Sequence, residues 1–482
     1  MFDLKSRLFG LSLLSLLSLL LVLLIATAPY AGSSLTATPS EALVVSQQHW
    51  LAGWRETSPM QAGRTGAAVY SKGDVIHMLG GMGRAAGADG KLVVQMPPSE
   101  KMFLRTTEYA RVKADGTLST WRLGPQMNMA RGFFSSTPHN GYLYAVGGAH
   151  GRNGSKLLNS VERAEIKADG TLGDWVLEKS TLNNPRRCAK LAVIGDYIYA
   201  FGGYGGILLD TLERAQINPD GSLGEWLVIT DRMTVARYVH GVERVDDGVY
   251  NIGGHSKEGG GGIVDVEWSR VDAEGFFGPW RSIAPLQTGR FSLATAKHGE
   301  FLYAIGGLNG AAHLDSIERT HIDEAGDLSA WEYTTPAPAK MSGANALVIN
   351  ESIYLIGGNE GDGPRRSVYY ANFNEQGDIG FLATSDEIDK YRARAVAREA
   401  NRAPFPHSAL VVEHIKKKLY SYLKVREDNG NVIWLAAPAQ DLKEGERISF
   451  PNGTLMKNFR SKGLQRTFSY IIFIREIRQY PG

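Results

Sequence analysis

Short apolar runs alternate with glycine pairs at nearly regular intervals along this chain. Six runs end in Gly-Gly, and their spacings are 67, 55, 51, 53 and 51 residues. A tryptophan recurs in the same phase. A regular spacing of this kind predicts a repeat architecture. The first glycines of the pairs are Gly80, Gly147, Gly202, Gly253, Gly306 and Gly357, and the tryptophans are Trp54, Trp121, Trp175, Trp226, Trp280 and Trp331.

A turn signal precedes each tryptophan from the second one onwards. The sequences are ADGTLSTW, ADGTLGDW, PDGSLGEW, AEGFFGPW and EAGDLSAW. Asp-Gly between apolar runs is typical of a tight hairpin, because glycine readily adopts the positive φ that such turns need. Each repeat therefore predicts four short antiparallel strands. The second strand ends at Gly-Gly and the fourth contains the tryptophan.

The glycine pairs and phased tryptophans resemble the kelch family over residues 50–383. The resemblance implies an all-β fold, a six-bladed kelch β-propeller with blades around a central channel. One departure is that Phe381 stands where the last hairpin should carry its tryptophan, whereas Trp54 opens the array with no hairpin before it. We therefore expect the N-terminal strand to complete the sixth blade, since closure removes exposed sheet edges.

The sequence changes character after the repeats. Residues 384–404 are charged, alanine-rich and without glycine, which predicts a helical linker. Residues 405–482 predict about five strands in a small β-barrel-like domain. Its WLAAP and MKNFRSKGLQRTF stretches resemble the small periplasmic NrfJ-type proteins. The resemblance gives no activity.

Basic residues cluster beside aromatic ones in this last region. We interpret them as a basic loop for an anionic lipid headgroup, a glycan or an acidic partner, or as a solvated hairpin. The loop residues are Lys457, Arg460, Lys462 and Arg466.

The N-terminal segment carries a targeting signal. Lys5 and Arg7 precede an uncharged apolar run over residues 8–28. Such a pattern directs export. The run is long enough to span a bilayer, so residues 1–31 predict either an uncleaved membrane anchor or a cleaved signal peptide. Residues 32–49 read as a flexible linker. Both alternatives place the rest of the chain outside the cytoplasm, in a bacterial periplasm or cell envelope.

Composition narrows the chemistry. The net charge of +2 provides no field for nucleic acid, and we expect no nucleic-acid partner. Cys188 is the only cysteine of the 482 residues, which excludes an internal disulfide and a cysteine zinc cluster. It lies in a strand-like run, where a small buried hydrophobe is a more common role than a reactive thiol.

Two charged positions repeat in five of the six units and are lost together in the sixth, which has Met341 and Tyr369. One interpretation is a ring of arginines that captures an anion in the channel. The other, which joint loss favours, is an Arg–Glu pair in each blade, because a buried charge needs a partner. The arginines are Arg64, Arg131, Arg186, Arg237 and Arg290, and the glutamates are Glu108, Glu162, Glu213, Glu267 and Glu318.

The loops after the glycine pairs should emerge on one face, and functional residues commonly occupy such loops. We predict a binding face there for a protein or carbohydrate ligand, or simply solvated turns. The candidate residues are Arg84, His150, Arg152, Tyr204, His255, Asn309 and Asn359.

No catalytic, metal or cofactor motif occurs in the sequence. The first functional hypothesis is a binding or assembly protein of the cell envelope, without metal or cofactor. The alternative is a propeller enzyme that acts on a sugar, since the family resemblance includes sugar oxidases and mutarotases. Convergence of titratable groups with shifted pKa values at the channel mouth would favour the enzyme.

Overall fold

The computed structural model describes residues 48–84, 103–151, 154–256, 261–361, 363–400, 405–417, 420–461, 463–474 and 477–479. The chain forms two compact units, Met1–Thr384 and Ser385–Gly482. The predicted export segment 1–31 lies outside the described residues, and so does linker 32–49 apart from its last two positions. Within the described ranges, no helix has the length and apolarity that a membrane span requires.

The first unit is the six-bladed β-propeller that the repeats predicted. Blades 1 to 5 are four-stranded antiparallel sheets in chain order. Blade 1 contains Ala68–Lys72, Val75–Leu79, Thr107–Arg111 and Arg122–Leu123; blade 2 contains Ser135–His139, Tyr142–Val146, Val161–Ile166 and Leu172–Leu177. Blade 3 contains Lys190–Ile194, Tyr197–Phe201, Leu212–Gln216 and Leu227–Ile229; blade 4 contains Gly241–Val245, Gly248–Ile252, Val266–Arg270 and Arg281–Ser282. Blade 5 contains Ala294–His298, Phe301–Ile305, Ile317–His321 and Glu332–Thr334.

Blade 6 combines both ends of the propeller sequence. Its first three strands are Asn345–Ile349, Ser352–Ile356 and Val368–Phe373. Strand Arg55–Thr57 pairs with the third of these from Arg55↔Tyr370 to Thr57↔Val368. The N-terminal strand therefore completes the blade, as the sequence predicted.

The strand after the last hairpin turn forms the rest of the outer edge of blade 6. Strand Ile379–Thr384 pairs with the third strand only at Asn372↔Gly380 and Phe373↔Ile379. Its residues 380–384 pair with Gln48–Ala52. Phe381 therefore does not occupy the tryptophan position, which Trp54 takes.

The glycine pairs join each blade to the next. In every pair the second glycine donates its N–H to the backbone carbonyl of the residue that leads into the following blade, as in Gly148 to Arg186 at 2.8 Å. Gly358 donates to Arg64 at 2.9 Å and so closes the ring from blade 6 to blade 1. At Gly147, with φ of 63°, an added Cβ would lie 2.7 Å from the carbonyl oxygen of Arg186. Both the φ and the close approach require glycine there.

The hairpin turns form a second set of joints at the opposite ends of the strands. Tyr144 of blade 2 donates its hydroxyl to the carbonyl of Gly221 in the next blade's hairpin at 2.7 Å. Tyr303 likewise binds Gly377 at 2.7 Å. Tyr354 of blade 6 binds Gly116 of blade 1 at 2.8 Å. The last hairpin thus retains its joint although it has no tryptophan.

The hydrophobic cores lie between neighbouring blades. One cluster combines Ile76 and Trp121 of blade 1 with Ile356 and Val368 of blade 6. The six phased tryptophans are buried, with exposed fractions of 1–8%. First strands of adjacent blades lie beside one another around the whole ring, which leaves a central channel.

The second unit begins with helix Ser385–Ala400, as predicted. A single sheet of seven strands follows, more than the five expected, and it pairs antiparallel except for one parallel neighbour pair. Its apolar side chains form two clusters, one around Val411, Leu423 and Leu435 and the other around Tyr422 and Phe468. The strands are, in sheet order, Thr454–Ser461, Arg466–Phe473, Val432–Pro438, Tyr420–Glu427, His407–Lys416, Arg447–Phe450 and Arg478–Gln479.

Candidate functional site

The repeated arginines and glutamates form ion pairs within their own blades. All ten side chains are fully buried, so the arginine heads are not free in the channel. The geometry is that of the paired arrangement rather than of an anion-binding ring. The N···O distances are 2.6 Å for Arg64–Glu108 and Arg131–Glu162, 2.5 Å for Arg186–Glu213 and Arg290–Glu318, and 3.4 Å for Arg237–Glu267.

The constant spacing of sixteen residues has a structural cause. Each arginine donates from Nη1 to the carbonyl of the first glycine of its own blade's pair, as in Arg290 to Gly306 at 2.8 Å. The glutamate accepts further N–H groups from the segment that enters the blade. Glu162 accepts from the amides of Asn128 and Met129, at 2.6 and 3.1 Å. The pair therefore fixes the turn, the third strand and the entry segment together.

Two repeats modify this arrangement. In blade 4, Arg237 also pairs with Asp265, a partner that the repeat comparison missed. In blade 6, Met341 is 2% exposed and belongs to the apolar cluster against which Tyr369 packs. The predicted apolar substitution of the pair is therefore present.

The predicted binding residues lie around the loop face, as we call the side of the propeller that bears the loops after the glycine pairs. His150 lies in Ala149–His150, paired with Lys156–Leu157, and Asn309 lies in Leu308–Asn309, paired with Ala312–His313. Arg84 ends strand Met82–Arg84, which pairs with Gly63–Thr65. Tyr204, His255 and Asn359 form isolated bridges to Arg187, Tyr238 and Ser342. Arg152 lies outside the described residues.

Blades 3 to 5 bring two of these residues into one cluster. Arg187 lies 5.0 Å from the ring of Tyr204, and Tyr204, Tyr238, His255 and Phe291 follow with ring centroids 6.1, 5.4 and 5.2 Å apart. All five side chains are half-buried. We call this cluster the aromatic arc.

Three members of the aromatic arc were missed by the sequence analysis. Arg187, Tyr238 and Phe291 each directly follow a paired arginine. The equivalent residues of blades 1, 2 and 6 are Thr65, Gly132 and Ser342. The residue after the repeated arginine differs strongly between blades, and this variation was the signal in the sequence that could have identified these residues. His150, Asn309 and Asn359 make no ring contact with the arc among the described residues.

Beneath the arc, a ring of backbone with positive φ surrounds the channel mouth. Its members are the second residues after Arg64, Arg131, Arg186, Arg237, Arg290 and Met341, namely Gly66, Phe133, Cys188, Val239, Ser292 and Gly343, with φ between 49° and 60°. Positive φ is rare for a β-branched residue such as Val239, so this ring is held by its surroundings. N–H to carbonyl bonds link successive members, for example Cys188 to Phe133 at 2.6 Å. Among the described residues the link from Val239 to Cys188 is absent.

Cys188 thus precedes strand Lys190–Ile194 instead of lying within it, which corrects the predicted strand position. Its thiol is buried, as expected, and burial raises its pKa to about 12. A thiol with so high a pKa has almost no thiolate at neutral pH, which supports the inert role.

The channel below the mouth is polar on the side of blades 3 and 4. A cavity of about 60 Å³ lies at the ring of the mouth, and one of about 180 Å³ lies along the first strands of the blades. Burial lowers the pKa of Lys190 and raises that of Glu243, which hydrogen-bonds Thr295. His240 is fully buried, and burial holds its pKa well below the usual value. No group of three or more His, Cys, Asp or Glu side chains suited to a metal occurs within the described ranges.

The basic residues of the second unit are on strands, which corrects the loop prediction. Lys457 and Arg460 lie in Thr454–Ser461, and Arg466 begins the strand that pairs with it. Lys462 lies outside the described residues.

Comparisons with known proteins agree with the propeller fold. No protein-family model matches the chain. It is 25% identical to Kelch-like protein 25 of Xenopus tropicalis over 189 residues, 38% of this chain and 31% of that protein. It is 22% identical to Beta-scruin of Limulus polyphemus over 165 residues, 34% of this chain and 16% of that protein. The chain thus spans less than a third of the length of these curated relatives.

A solved structure titled "Structure of YjhT" superposes with a TM-score of 0.50 and 14% identity. The match covers 68% of this chain and 99% of that one. At this identity the likeness shows the fold alone, which is the kelch-type β-propeller.

Proposed function

We propose that this chain is a binding protein held outside the cytoplasm, whose propeller presents the aromatic arc to a protein partner. The carrying observation is the arc itself, since blades 3 to 5 hold four half-buried rings and Arg187 in continuous contact. Tyrosine and arginine are enriched at the energetic centres of protein interfaces, because they combine apolar area with polar ends. A rigid ring of blades orders these side chains before binding, which lowers the entropic cost of association.

We infer the location of the protein from its N-terminal sequence. The basic flank and apolar run within residues 1–31 support export, with anchoring by an uncleaved segment. N-terminal sequencing of the protein purified from membranes of its native host tests this. Retention of residues 1–28 agrees with an anchor, whereas a mature chain that begins near Gly32 means that the segment is cleaved.

Photo-crosslinking tests the binding face. In the test variant of the full-length chain, a photoreactive phenylalanine replaces Tyr238. In the control variant it replaces Lys113, which is exposed in a hairpin on the side of the propeller opposite the loop face. We expect a discrete adduct with one protein from position 238 and none from position 113. The adduct should disappear when Phe291→Ser is added. Equal adducts from both positions, or none, would contradict the proposal.

A carbohydrate ligand is the second occupant that the arc would suit, because its half-buried rings provide apolar platforms beside polar groups. A glycan array probed with the wild-type chain and with Tyr204→Ser distinguishes a carbohydrate ligand from a protein partner. If the wild-type chain binds a defined glycan and Tyr204→Ser does not, the ligand of the arc is a carbohydrate rather than a protein.

Catalysis on a sugar is the alternative function, and one observation favours it. Lys190 lines a cavity of the channel, and Glu243 in strand Gly241–Val245 interacts with it electrostatically. Burial shifts the pKa values of both groups toward neutrality. Groups shifted in this way are suited to proton transfer. NMR of reducing sugars and sugar acids with the wild-type chain and Glu243→Gln tests it, and turnover that this variant loses would establish the enzyme.

A further inference from the structure

Two neighbouring strands of the second unit run parallel but pair at only two positions. Val432–Pro438 and Arg466–Phe473 are joined at Leu435↔Ile472 and Ala436↔Phe473. The same register would place Val432 beside Ser469 and Trp434 beside Ile471, yet no pairing occurs there among the described residues. A cavity of about 500 Å³ lies between these segments instead. We call it the parallel groove, lined by residues 432–434 and 466–472 and by Leu455.

Both walls of the parallel groove are edges of strands. Val432–Trp434 pairs on its other side with Lys424–Arg426, and Arg466–Ile471 pairs on its other side with Met456–Ser461. In a strand paired on one side only, alternate backbone N–H and C=O groups point away from the partner. Those groups face the groove from both walls. An extended segment placed between them would find hydrogen-bond partners on both sides.

The side chains at the groove mouth are apolar and exposed. Val432, Leu455 and Tyr470 are 48%, 52% and 59% exposed. Large exposed apolar side chains gathered along a groove are typical of a surface that binds another chain. Trp434 and Phe468 form the deeper wall, with ring centroids 5.1 Å apart.

Basic residues predominate on the two strands beside the groove. Strands Thr454–Ser461 and Arg466–Phe473 contain Lys457, Arg460 and Arg466 and no acidic residue. Lys457 lies 5.9 Å from the ring of Tyr470, and Arg466 lies 4.4 Å from that of Trp434. Arg466 also forms an ion pair with Glu413, with an N···O distance of 3.6 Å. This field favours an acidic occupant.

We propose that the parallel groove binds an extended acidic peptide segment of a partner protein by β-strand addition. Backbone hydrogen bonds to the two strand edges give affinity. Apolar side chains on one face of the peptide contact Val432, Leu455 and Tyr470, and acidic ones meet Lys457 and Arg466. An anionic membrane would match the charge, but lipid tails would leave the strand-edge N–H and C=O groups unsatisfied. The peptide satisfies them.

Peptide display on the full-length chain tests the proposal. A phage library of short random peptides is selected against the wild-type chain, and the consensus is synthesised with a plain backbone and with alternate amides N-methylated. We expect an enriched motif of alternating acidic and apolar residues. N-methylation should abolish its binding, because methylated amides donate no hydrogen bond. Hydrogen exchange should slow at residues 432–434 and 466–471 when the plain peptide binds.

A matched pair of variants locates the site. Tyr470→Glu adds a negative charge at the groove mouth, and Leu123→Glu makes the same kind of change at a residue 62% exposed in blade 1. Because both side chains are exposed, both variants should fold, which circular dichroism checks. Tyr470→Glu should weaken peptide binding at least about tenfold, as loss of a central contact typically does. Leu123→Glu should leave it unchanged.

The remaining outcomes overturn the proposal. They are no enriched peptide, a motif without acidic residues, a consensus that binds Tyr470→Glu as well as wild type, or an N-methylated peptide that binds equally. Vesicles that contain phosphatidylglycerol provide the membrane comparison. Binding to these vesicles in the absence of peptide binding would assign the surface to an anionic membrane. None of these results depends on the aromatic arc.

Discussion

Blades 1 to 5 and blade 6 satisfy the same structural position by opposite means. Five blades fill it with a buried Arg–Glu pair, whereas blade 6 fills it with Met341 and Tyr369 in an apolar cluster. The joints between blades survive the change, because Gly307 donates to the backbone carbonyl of Met341 at 2.8 Å just as Gly254 does to that of Arg290. The position must therefore be filled without an unpaired charge, and it need not be charged.

The largest effect should come from breaking one pair in blade 5. Arg290→Met leaves the carboxyl group of Glu318 buried without its charged partner, which should lower the free energy of unfolding by roughly 3–5 kcal/mol. The double variant Arg290→Met/Glu318→Tyr imitates blade 6 and should cost less than half as much, since no buried charge remains. Urea unfolding of the three proteins measures both. A double variant less stable than the single one would contradict the conclusion that an apolar pair can replace the Arg–Glu pair.

The reverse exchange in blade 6 is the matched experiment. Met341→Arg buries a guanidinium without a carboxylate and should destabilise the protein by roughly 3 kcal/mol. Adding Tyr369→Glu supplies the partner and should recover most of the loss. If the second substitution adds to the damage of the first, the two solutions are not interchangeable.

A different core position of blade 4 holds a residue that is polar but uncharged. His240 lies against Gly254 as Phe134 lies against Gly148, in a position that blade 5 fills with Leu293. Burial holds the pKa of His240 well below its usual value, so below about pH 6.5 the unfolded chain binds a proton that the folded chain does not. Below about pH 6.5, the free energy of unfolding should therefore decrease as the pH is lowered, by at most about 1.4 kcal/mol per pH unit.

His240→Leu should remove this part of the pH dependence and leave the slope above pH 7 unchanged. Unfolding in urea between pH 5 and pH 8 measures it. An unchanged slope below pH 6.5 would mean that the imidazole is protonated in the folded state.

The smallest effect concerns Cys188, which shares its ring position with glycine in blades 1 and 6. Because burial raises its pKa to about 12, iodoacetamide at pH 8 should leave the folded protein unlabelled and label it fully in urea. Circular dichroism after the treatment should be unchanged. Fast labelling of the folded chain would contradict the buried thiol, and Cys188→Ala provides the blank.

The sequence predicted those features that depend on contacts repeated within each unit. Regular glycine pairs and hairpin turns indicated the strands, and joint loss at Met341 and Tyr369 indicated that the arginines and glutamates are partners. The phase of Trp54 indicated that the N-terminal strand completes blade 6. Each of these signals recurs in several copies of one local geometry, so comparison of the copies was sufficient.

The tertiary structure decided which unlike residues of different blades meet. Arg187, Tyr238 and Phe291 stand about fifty residues apart in the chain and become neighbours only because the blades close into a ring. In the second unit, alternation predicted strands, but their order in the sheet and the partial pairing of Val432–Pro438 with Arg466–Phe473 were not predicted. Strand partners distant in sequence depend on the packing of the whole sheet, and alternation along one strand carries no information about them.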